Sequence, residues 1–456
     1  MRTFLGVLVN TAVANITTSF LWFALTFWVY LETRSVLATG IVGGAYMLLL
    51  AAFGMVFGTF VDRHRKHRVM VLSAVVTLCA FALAGVVFLL VPQERILDLG
   101  GPWFWVFSGV VLTGAVVENL RNIALSTTVT LLVPPERHAN ANGLVGTVQG
   151  LAFLVTSVFS GLAIGLVGMG WTLVIALVLT VGALVHLLVL RIPEEQPDPA
   201  PGGRALDIRG AAAAIRAVPG LMALIVFSTF NNLIGGVYLA LMDPYGLTLF
   251  DVTAWGLVLG ATSTGFIVGG AIVARRGLGR NPIRTMLLAV ILMGVLGAAF
   301  TLRDWWWLYA GGIWIYMALV PVVESAEQTV IQRVVPFRSQ GRVFGAAATF
   351  EAGAAPITAF LIAPIAQFWV IPYMDSDAGR AAWGWLLGDG QGRGIALVFL
   401  VAGLGMVLVG VWAFGTRAYR ILSAGYAEAP VPPESDDPPT GPASAAQVRG
   451  GVAAQE

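Results

Sequence analysis

Charge is scarce in this sequence. Asp, Glu, Lys and Arg make up 11% of its 456 residues, against about 25% in a soluble domain. That is too little to coat a water-facing surface. Hydrophobic residues reach 58% and mean hydropathy is +0.85, so most of the surface must face lipid. Cysteine is scarcer still. Cys79 stands alone in an apolar run, which excludes an internal disulfide and implies no redox chemistry. Lysine occurs once, as Lys66. Of four histidines, His64, His67 and His138 fall in polar connections and His186 in an apolar run. They make no metal-ligand pair with supporting carboxylates. No Walker loop is present, so ATP does not drive the protein directly. Net charge is +2, and the basic residues lie between apolar runs rather than along one face, so nucleic-acid binding is unsupported. These absences predict no enzyme constellation, no cofactor and no metal.

What is present is a series of long apolar runs without the alternation of a membrane barrel, which makes the spans helices. A span needs about 20 residues. Candidates run over 5–31, 36–61, 69–91, 103–133, 141–168, 171–190, 219–242, 252–274, 283–302, 305–335, 342–371 and 394–415. The first is too long and, with Asn10, Asn15 and Thr17 inside it, too polar for a cleaved signal. Gly168-Met169-Gly170 predicts a tight turn between spans five and six. The stretch Asp62-Arg63-His64-Arg65-Lys66-His67-Arg68 separates spans two and three. Its positive charge predicts a cytoplasmic loop. The same side then receives Arg137, Arg191, Arg216, Arg275, Arg284, Arg333, Arg342 and Arg417. The other side receives Arg34, Arg95, Arg303, Arg380 and Arg393, mostly beside acids such as Glu32, Glu94, Asp304 and Asp377. This bias predicts an even number of spans with both termini in the cytoplasm.

The chain divides at a polar, Pro- and Gly-rich segment. The expected domains are a bundle over 1–190, a cytoplasmic linker over 191–218 with a short interfacial helix near 211–218, a bundle over 219–420, and a disordered tail over 421–456. The halves repeat. Leu132-Val133-Pro134 resembles Val334-Val335-Pro336 at a shift of 202 residues (336 less 134), which also maps Gly143 onto Gly345 and Asn122 onto Glu324.

Ionisable residues inside membrane spans are costly and by default mark a transport path. Span four carries Glu118, Asn119, Arg121 and Asn122, with Glu118 one turn from both Arg121 and Asn122. An acid and a base so placed either clamp helices together or serve transport. Span ten carries Glu324, Glu327, Gln328 and Gln332, of which Glu324, Gln328 and Gln332 form one stripe. Spans one and seven add Asn10, Asn15, Thr18 and Trp22, then Ser228, Asn231, Asn232 and Tyr238. Glu351 in span eleven reads equally as a gate contact or a cavity group.

The spacing Gly58-x-x-x-Asp62-Arg63-x-Arg65-Lys66 resembles the signature loop between helices two and three of the major facilitator superfamily. Its degenerate partner in the second half is Gly270-Ala-Ile-Val-Ala274-Arg275, with alanine in place of the acid. The resemblance covers residues 1 to about 420. It implies an all-α membrane protein of twelve transmembrane helices in two pseudo-symmetric six-helix bundles. It also implies a cavity lined by spans one, four, seven and ten, and a gating role for Gly58, Asp62, Arg63, Arg65 and Lys66. In the family the signature aspartate pairs with basic groups and a helix N-terminus across the two halves. The candidate proton-coupling residues are then Glu118 and Glu324, and the candidate cavity residues Asn15, Trp22, Arg121, Asn122, Asn231, Asn232 and Gln328. The stretch after span four and Gly341-Arg342-Val-Phe-Gly345 resemble the bacterial macrolide-efflux and siderophore-exporter branch. Span five departs from the drug-antiporter pattern, having Thr156-Ser157 where Gly-Pro is expected. The expected function is proton-coupled export of a hydrophobic or amphipathic small molecule by a monomer in the inner membrane. Its partners would be substrate, protons and the lipid bilayer. The alternatives are a proton-coupled importer, an exporter of lipid-like substrates, and a non-transporting sensor or scaffold.

Overall fold

A computed structural model describes residues 2–33, 36–194, 207–388, 390 and 392–428. Arg34, the linker residues 195–206 with Arg204, Asp389 and the tail from 429 lie outside them. Among the described residues there is no strand. The first half comprises α1 (Arg2–Thr33), α2 (Val36–Arg63), α3 (Lys66–Leu90), α4 (Pro102–Leu132) and the stretch His138–Val189. That stretch is broken at Gly168, whose φ of 76° and ψ of 176° are not helical. It is therefore two antiparallel spans, α5 (138–167) and α6 (169–189). The linker contributes α7 (Ile208–Ala217). The second half comprises α8 (Leu221–Leu249), α9 (Val252–Arg276), α10 (Pro282–Ala299), α11 (Trp306–Val334), α12 (Phe337–Ile365), the short helix α13 (Asp377–Leu387) and α14 (Arg393–Gly415), and α15 (Arg417–Glu428) follows it.

Eleven described helices are long and apolar enough to cross a membrane, with Leu162–Val189 counted among them. The described stretch from His138 to the break at Gly168 adds α5, which completes twelve. The spans pair their backbone groups within each helix, as lipid requires, except where Pro244, Pro321, Pro356 and Pro364 interrupt the ladder. Large apolar side chains point outward around the bundle: Leu89, Phe360 and Trp412 are 83%, 84% and 71% exposed. A surface of that kind is stable only against lipid or a partner.

Two expectations need correction. The linker helix starts at Ile208, three residues before the expected segment, because the Asp207 side chain accepts the Gly210 amide and caps it. Residues 421–428 are helical rather than disordered. Leu422 is buried, and α15 packs on the start of α8 and the end of α11.

The halves meet along two seams. In one, α2 lies on α12 at Gly54, Gly58, Gly341 and Gly345. A Cβ at Gly58 would strike the Gly341 carbonyl, and one at Gly345 the Gly54 carbonyl. In the other, α5 lies on α9, where Gly143 meets Val273 and Ala274, and Gly270 meets Thr147. Small residues allow this backbone approach. Both seams tighten toward the face that carries the Asp62 loop. There one apolar core joins the halves through Leu8, Val61, Leu120, Val330, Ile331 and Val343. At the opposite face the first half has a separate core of its own, including Leu25, Trp28, Phe81 and Phe107. The molecule is thus sealed on the loop face.

Gly168 occupies a backbone region open essentially to glycine alone, and occupying it with another residue costs about 1–3 kcal/mol. Gly168→Ala should lower the apparent unfolding temperature in detergent. Gly182→Ala, where an added Cβ meets nothing within 4 Å, should not. Equal melting of the two variants would mean the break is unstrained.

Candidate functional site

The signature residues form a clamp across the first seam. Asp62 ends α2 with its side chain 4% exposed. Its Oδ1 accepts the Gly341 amide at 2.7 Å. Its Oδ2 accepts the Arg342 amide and Nε, each at 2.9 Å. The N-terminal part of α12 thus presents amides to a carboxylate, the favourable end of the helix dipole. Gly341 must lack a Cβ, since one would meet Asp62 Oδ1. Arg342 Nη1 also donates to Asp207 Oδ2 at 3.0 Å. Asp207, outside the spans, is held below the usual carboxylate range first by the Gly210 amide and then by Arg342. Arg63 adds a smaller effect of the same sign. Lys66 starts α3 and is buried. Its Nζ lies 3.5 Å from Glu194 and 4.8 Å from the Phe337 ring centroid, while its amide donates to Glu194 at 2.6 Å. Glu194, from the start of the linker, therefore caps α3. Arg65 is the residue before that helix, and its Nε is buried without a hydrogen bond.

The second seam uses neutral groups. Asn140 Nδ2 donates to the Ala274 carbonyl at 2.9 Å. Asn142 donates to Thr329 and Gln332, and Gln332 donates to the Ser126 carbonyl. Thr130 donates to Gln340 at 2.8 Å. These amides close the floor of a central cavity of about 220 Å³ between the halves.

The cavity brings together Asn15, Asn122, Glu324 and Gln328 of the predicted set. It adds Asn119, Gln149, Glu327 and Glu351. Asn15 Nδ2 donates to Asn122 Oδ1 at 2.9 Å. Asn122 and Glu324, related by the 202-residue shift, both line it. Glu324 is exposed, and the space it faces is this cavity. No Lys, Arg or His occurs among the described lining residues.

Other predicted residues lie elsewhere. Glu118 and Arg121 do not line the cavity. They pair with each other at 2.6 Å inside the first half, where Ser73 donates to Glu118 at 3.2 Å and Arg121 to Asn10 at 2.5 Å. Asn10 in turn donates to the Ala183 carbonyl, so the network ties α1, α3, α4 and α6. Trp22 does not line the cavity either and packs on Tyr46, ring centroids 4.9 Å apart. Asn231 and Asn232 sit on α8 outside the lining, Asn232 donating to the Ser228 carbonyl. Tyr238 stacks on Phe399 within the second half. Sequence reasoning gave no role to Glu194 or Asn142, which lie in ordinary polar contexts. Glu327 carried a signal in its three-residue step from Glu324.

The buried pair yields a stability test. Glu118→Ala strands the Arg121 charge, which costs about 3–5 kcal/mol in comparable sites. Glu118→Leu combined with Arg121→Met should recover most of the lost melting temperature. Equal loss in the single and double variants would show that packing, not charge, dominates there.

Comparison with known proteins fits this architecture. The family model described as Major Facilitator Superfamily matches residues 7–359. Macrolide efflux protein A of Streptococcus pyogenes is 23% identical over 370 residues, spanning 78% of this chain and 87% of that protein. Its namesake from Enterococcus faecalis is 22% identical over 321 residues, spanning 67% and 94%. Among solved structures, a bacterial homologue of the iron transporter ferroportin in an outward-facing state superposes with a TM-score of 0.67 at 15% identity, over 91% of this chain and 100% of that one. The proton:xylose symporter XylE superposes with a TM-score of 0.64 at 12% identity, over 91% and 96%. With two six-helix halves, the clamp at Asp62 and a cavity between the halves, the chain belongs to the major facilitator superfamily of membrane transporters.

Proposed function

We propose that this transporter exports a hydrophobic or amphipathic small molecule in exchange for protons, by alternating access, as a monomer in the inner membrane with both termini cytoplasmic. The observation that carries the proposal is Glu324. It is an acid on a cavity-lining helix, open to the space between the halves, with no cation among the described residues around it. A carboxyl so placed can bind a proton and lose it again when access changes sides. Glu118 was the other sequence candidate for this role. Arg121 neutralises it locally, which favours a structural part for Glu118 and leaves Glu324 as the coupling acid. The bias of arginines toward the Asp62 face supports a cytoplasmic loop face, and a molecule sealed there is outward-facing. The efflux proteins among its relatives support the export direction.

Reconstituted vesicles loaded with a pH dye and offered a panel of macrolides and other amphipathic compounds test this reading. Glu324→Gln should abolish export driven by a pH gradient, whereas Glu118→Gln should lower it only as far as it lowers stability. Full gradient-driven export by Glu324→Gln would remove the assignment. A scaffold would show no substrate-dependent proton movement in any variant.

The clamp yields a second test. Asp62→Asn removes charge-assisted contacts worth on the order of 1.5–3 kcal/mol, enough to convert a mostly outward-facing population into a mixed one. Ser126→Cys in a Cys79→Ala background places a reporter at the cavity floor. Its labelling from the loop side by a membrane-impermeant thiol reagent should rise in Asp62→Asn, with intrinsic substrate affinity retained. Unchanged labelling together with lost binding would place Asp62 in the substrate site instead.

A further inference from the structure

The span α12 is long for a membrane. From Phe337 at the sealed loop face to Ile365 it has 29 residues, about 43 Å at 1.5 Å per residue. That matches the whole bilayer with its headgroups, not the hydrocarbon core alone. The chain then continues through a π-helical stretch, Ala366–Val370, and a short helical segment, Ile371–Asp375. The apolar stripe on the outside of α12 continues with it. Ile357, Phe360, Leu361, Ile365, Phe368 and Trp369 follow one another at steps that keep one helix face, and the last two are each 72% exposed. In the first half the matching connection is the break at Gly168, which the 202-residue shift maps onto Val370 (370 less 168). Where the first half turns back at one glycine, the second half inserts a segment that ends in α13.

At 3.6 residues per turn, α13 has three sides. Gly379, Trp383, Leu386 and Leu387 face the protein, the first and last of them buried. A Cβ at Gly379 would strike the Tyr373 carbonyl, so the helix lies close on the segment before it. Ala378, Ala381, Ala382 and Trp385 form a second side, apolar and exposed, with Trp385 at 74%. The Trp385 indole donates to the Ala382 carbonyl at 3.0 Å, so its polar atom needs no water. Asp377 and Arg380 stand on an edge between these sides, 3.8 Å apart and exposed. A helix with an exposed apolar side and a charged edge is suited to lie in a membrane interface.

The far end of α13 is clasped by two arginines. Arg303 donates to the Leu386 carbonyl at 2.7 Å, and Arg393 to the Leu387 carbonyl at 2.6 Å and the Thr301 carbonyl at 3.1 Å. Cations on the last carbonyls of a helix meet the favourable end of its dipole. Arg393 also pairs with Asp304 and contacts the Tyr245 hydroxyl. The helix is thereby fixed to the end of α8, the turn after α10 and the start of α14, and none of these clasping residues lines the cavity. Trp305, Trp306 and Trp307 are exposed at the start of α11 on the same face, and tryptophan is enriched where spans meet the headgroups. Over 366–388 the charged residues are Asp375, Asp377 and Arg380, a net charge of −1 (one less two). Such a segment is not drawn to an anionic surface.

We propose that α13 and the end of α12 form an interfacial foot. It is embedded among zwitterionic or uncharged lipid headgroups of the leaflet opposite the Asp62 loop, and it seats the ends of α8, α10 and α14 at a fixed depth. The exposed side of α13 continues the lipid-facing stripe of α12 at the level where that span leaves the hydrocarbon, which is why lipid is its partner. The proposal rests on the placement of the spans in a membrane and on no assignment of substrate, coupling or direction.

Spin labels on the full chain in phosphatidylcholine nanodiscs, in a Cys79→Ala background, test it. Labels at Ala378→Cys and Ala381→Cys should collide severalfold more with oxygen, which concentrates in lipid, than with a water-soluble nickel chelate. Labels at Asp377→Cys and Arg380→Cys should show the reverse. All four positions are exposed, and an unchanged melting temperature shows that each labelled chain is folded. Adding phosphatidylglycerol or raising the salt should leave the pattern as it is. Trp385→Asp should raise nickel collisions at the Ala378 label. Nickel access at the two alanine positions equal to that at Asp377 would place this side in water and overturn the proposal. Shielding from both reagents, with dipolar broadening between labels on two copies, would assign the side to a second copy and overturn it too. An oxygen preference that appears only with phosphatidylglycerol and fades in salt would mean an anionic-lipid site and overturn the lipid class.

Discussion

The Asp62 carboxylate receives three donors from the opposite half of the molecule, and the closed face is built around it. The bonds form only because α2 and α12 approach to backbone contact at Gly58, Gly341 and Gly345. Arg342 extends the contact to Asp207, which caps the linker helix. One turn away in space the linker returns a second acid, Glu194, to Lys66 and the start of α3, with the Phe337 ring of the other half beneath the ammonium. Carboxylates of the linker thus brace both sides of one seam. Movement of the halves must rearrange the linker as well.

The pseudo-symmetric seam is built differently. The 202-residue shift that relates the halves places Asn140 where Arg342 stands (342 less 140), and the motif that begins at Gly270, 212 residues after Gly58, places Ala274 where Asp62 stands. The contact is kept, with Asn140 donating to the Ala274 carbonyl, but the charge is gone. A neutral hydrogen bond contributes about 0.5–1.5 kcal/mol net, a charged one about 1.5–3. The floor between the seams is again neutral, made of Asn142, Gln332, Gln340 and Ser126. The first seam therefore carries most of the electrostatic bias toward the sealed loop face, and the second contributes fit.

Much of this was legible in the sequence, for a physical reason. Lipid demands unbroken apolar helices, so span positions follow from composition, and even the break at Gly168 announces itself between Val167 and Met169. The clamp was legible because its residues are adjacent in sequence and their spacing is specific. The cavity was legible only in part. Periodicity tells which residues share a helix face but not which neighbour that face meets. Glu118 and Glu324 look alike as acids in apolar spans, yet one turns toward Ser73 and Arg121 and the other into the cavity. Trp22 and Asn231 lie outside the lining of this cavity for the same reason. The tail differs over 421–428, where α15 continues, because Leu422 finds a buried place that the polar stretch after it does not advertise.

Charge matching separates the acids that structure explains from those that it does not. In a chain this poor in charge, an acid buried among helices needs a stated partner. Asp62 has Arg342, and Glu118 has Arg121. Each of these pairs holds helices or halves together, and each has its cation within the chain. Glu324, Glu327 and Glu351 break the pattern at one place, the cavity between the halves, with neutral amides around them. Apolar residues at those three positions would be easier to bury, and a structural role would be served by supplying an arginine, as the first half does. Leaving that place without an arginine fits an acid that must take up and lose a proton, as proposed for Glu324.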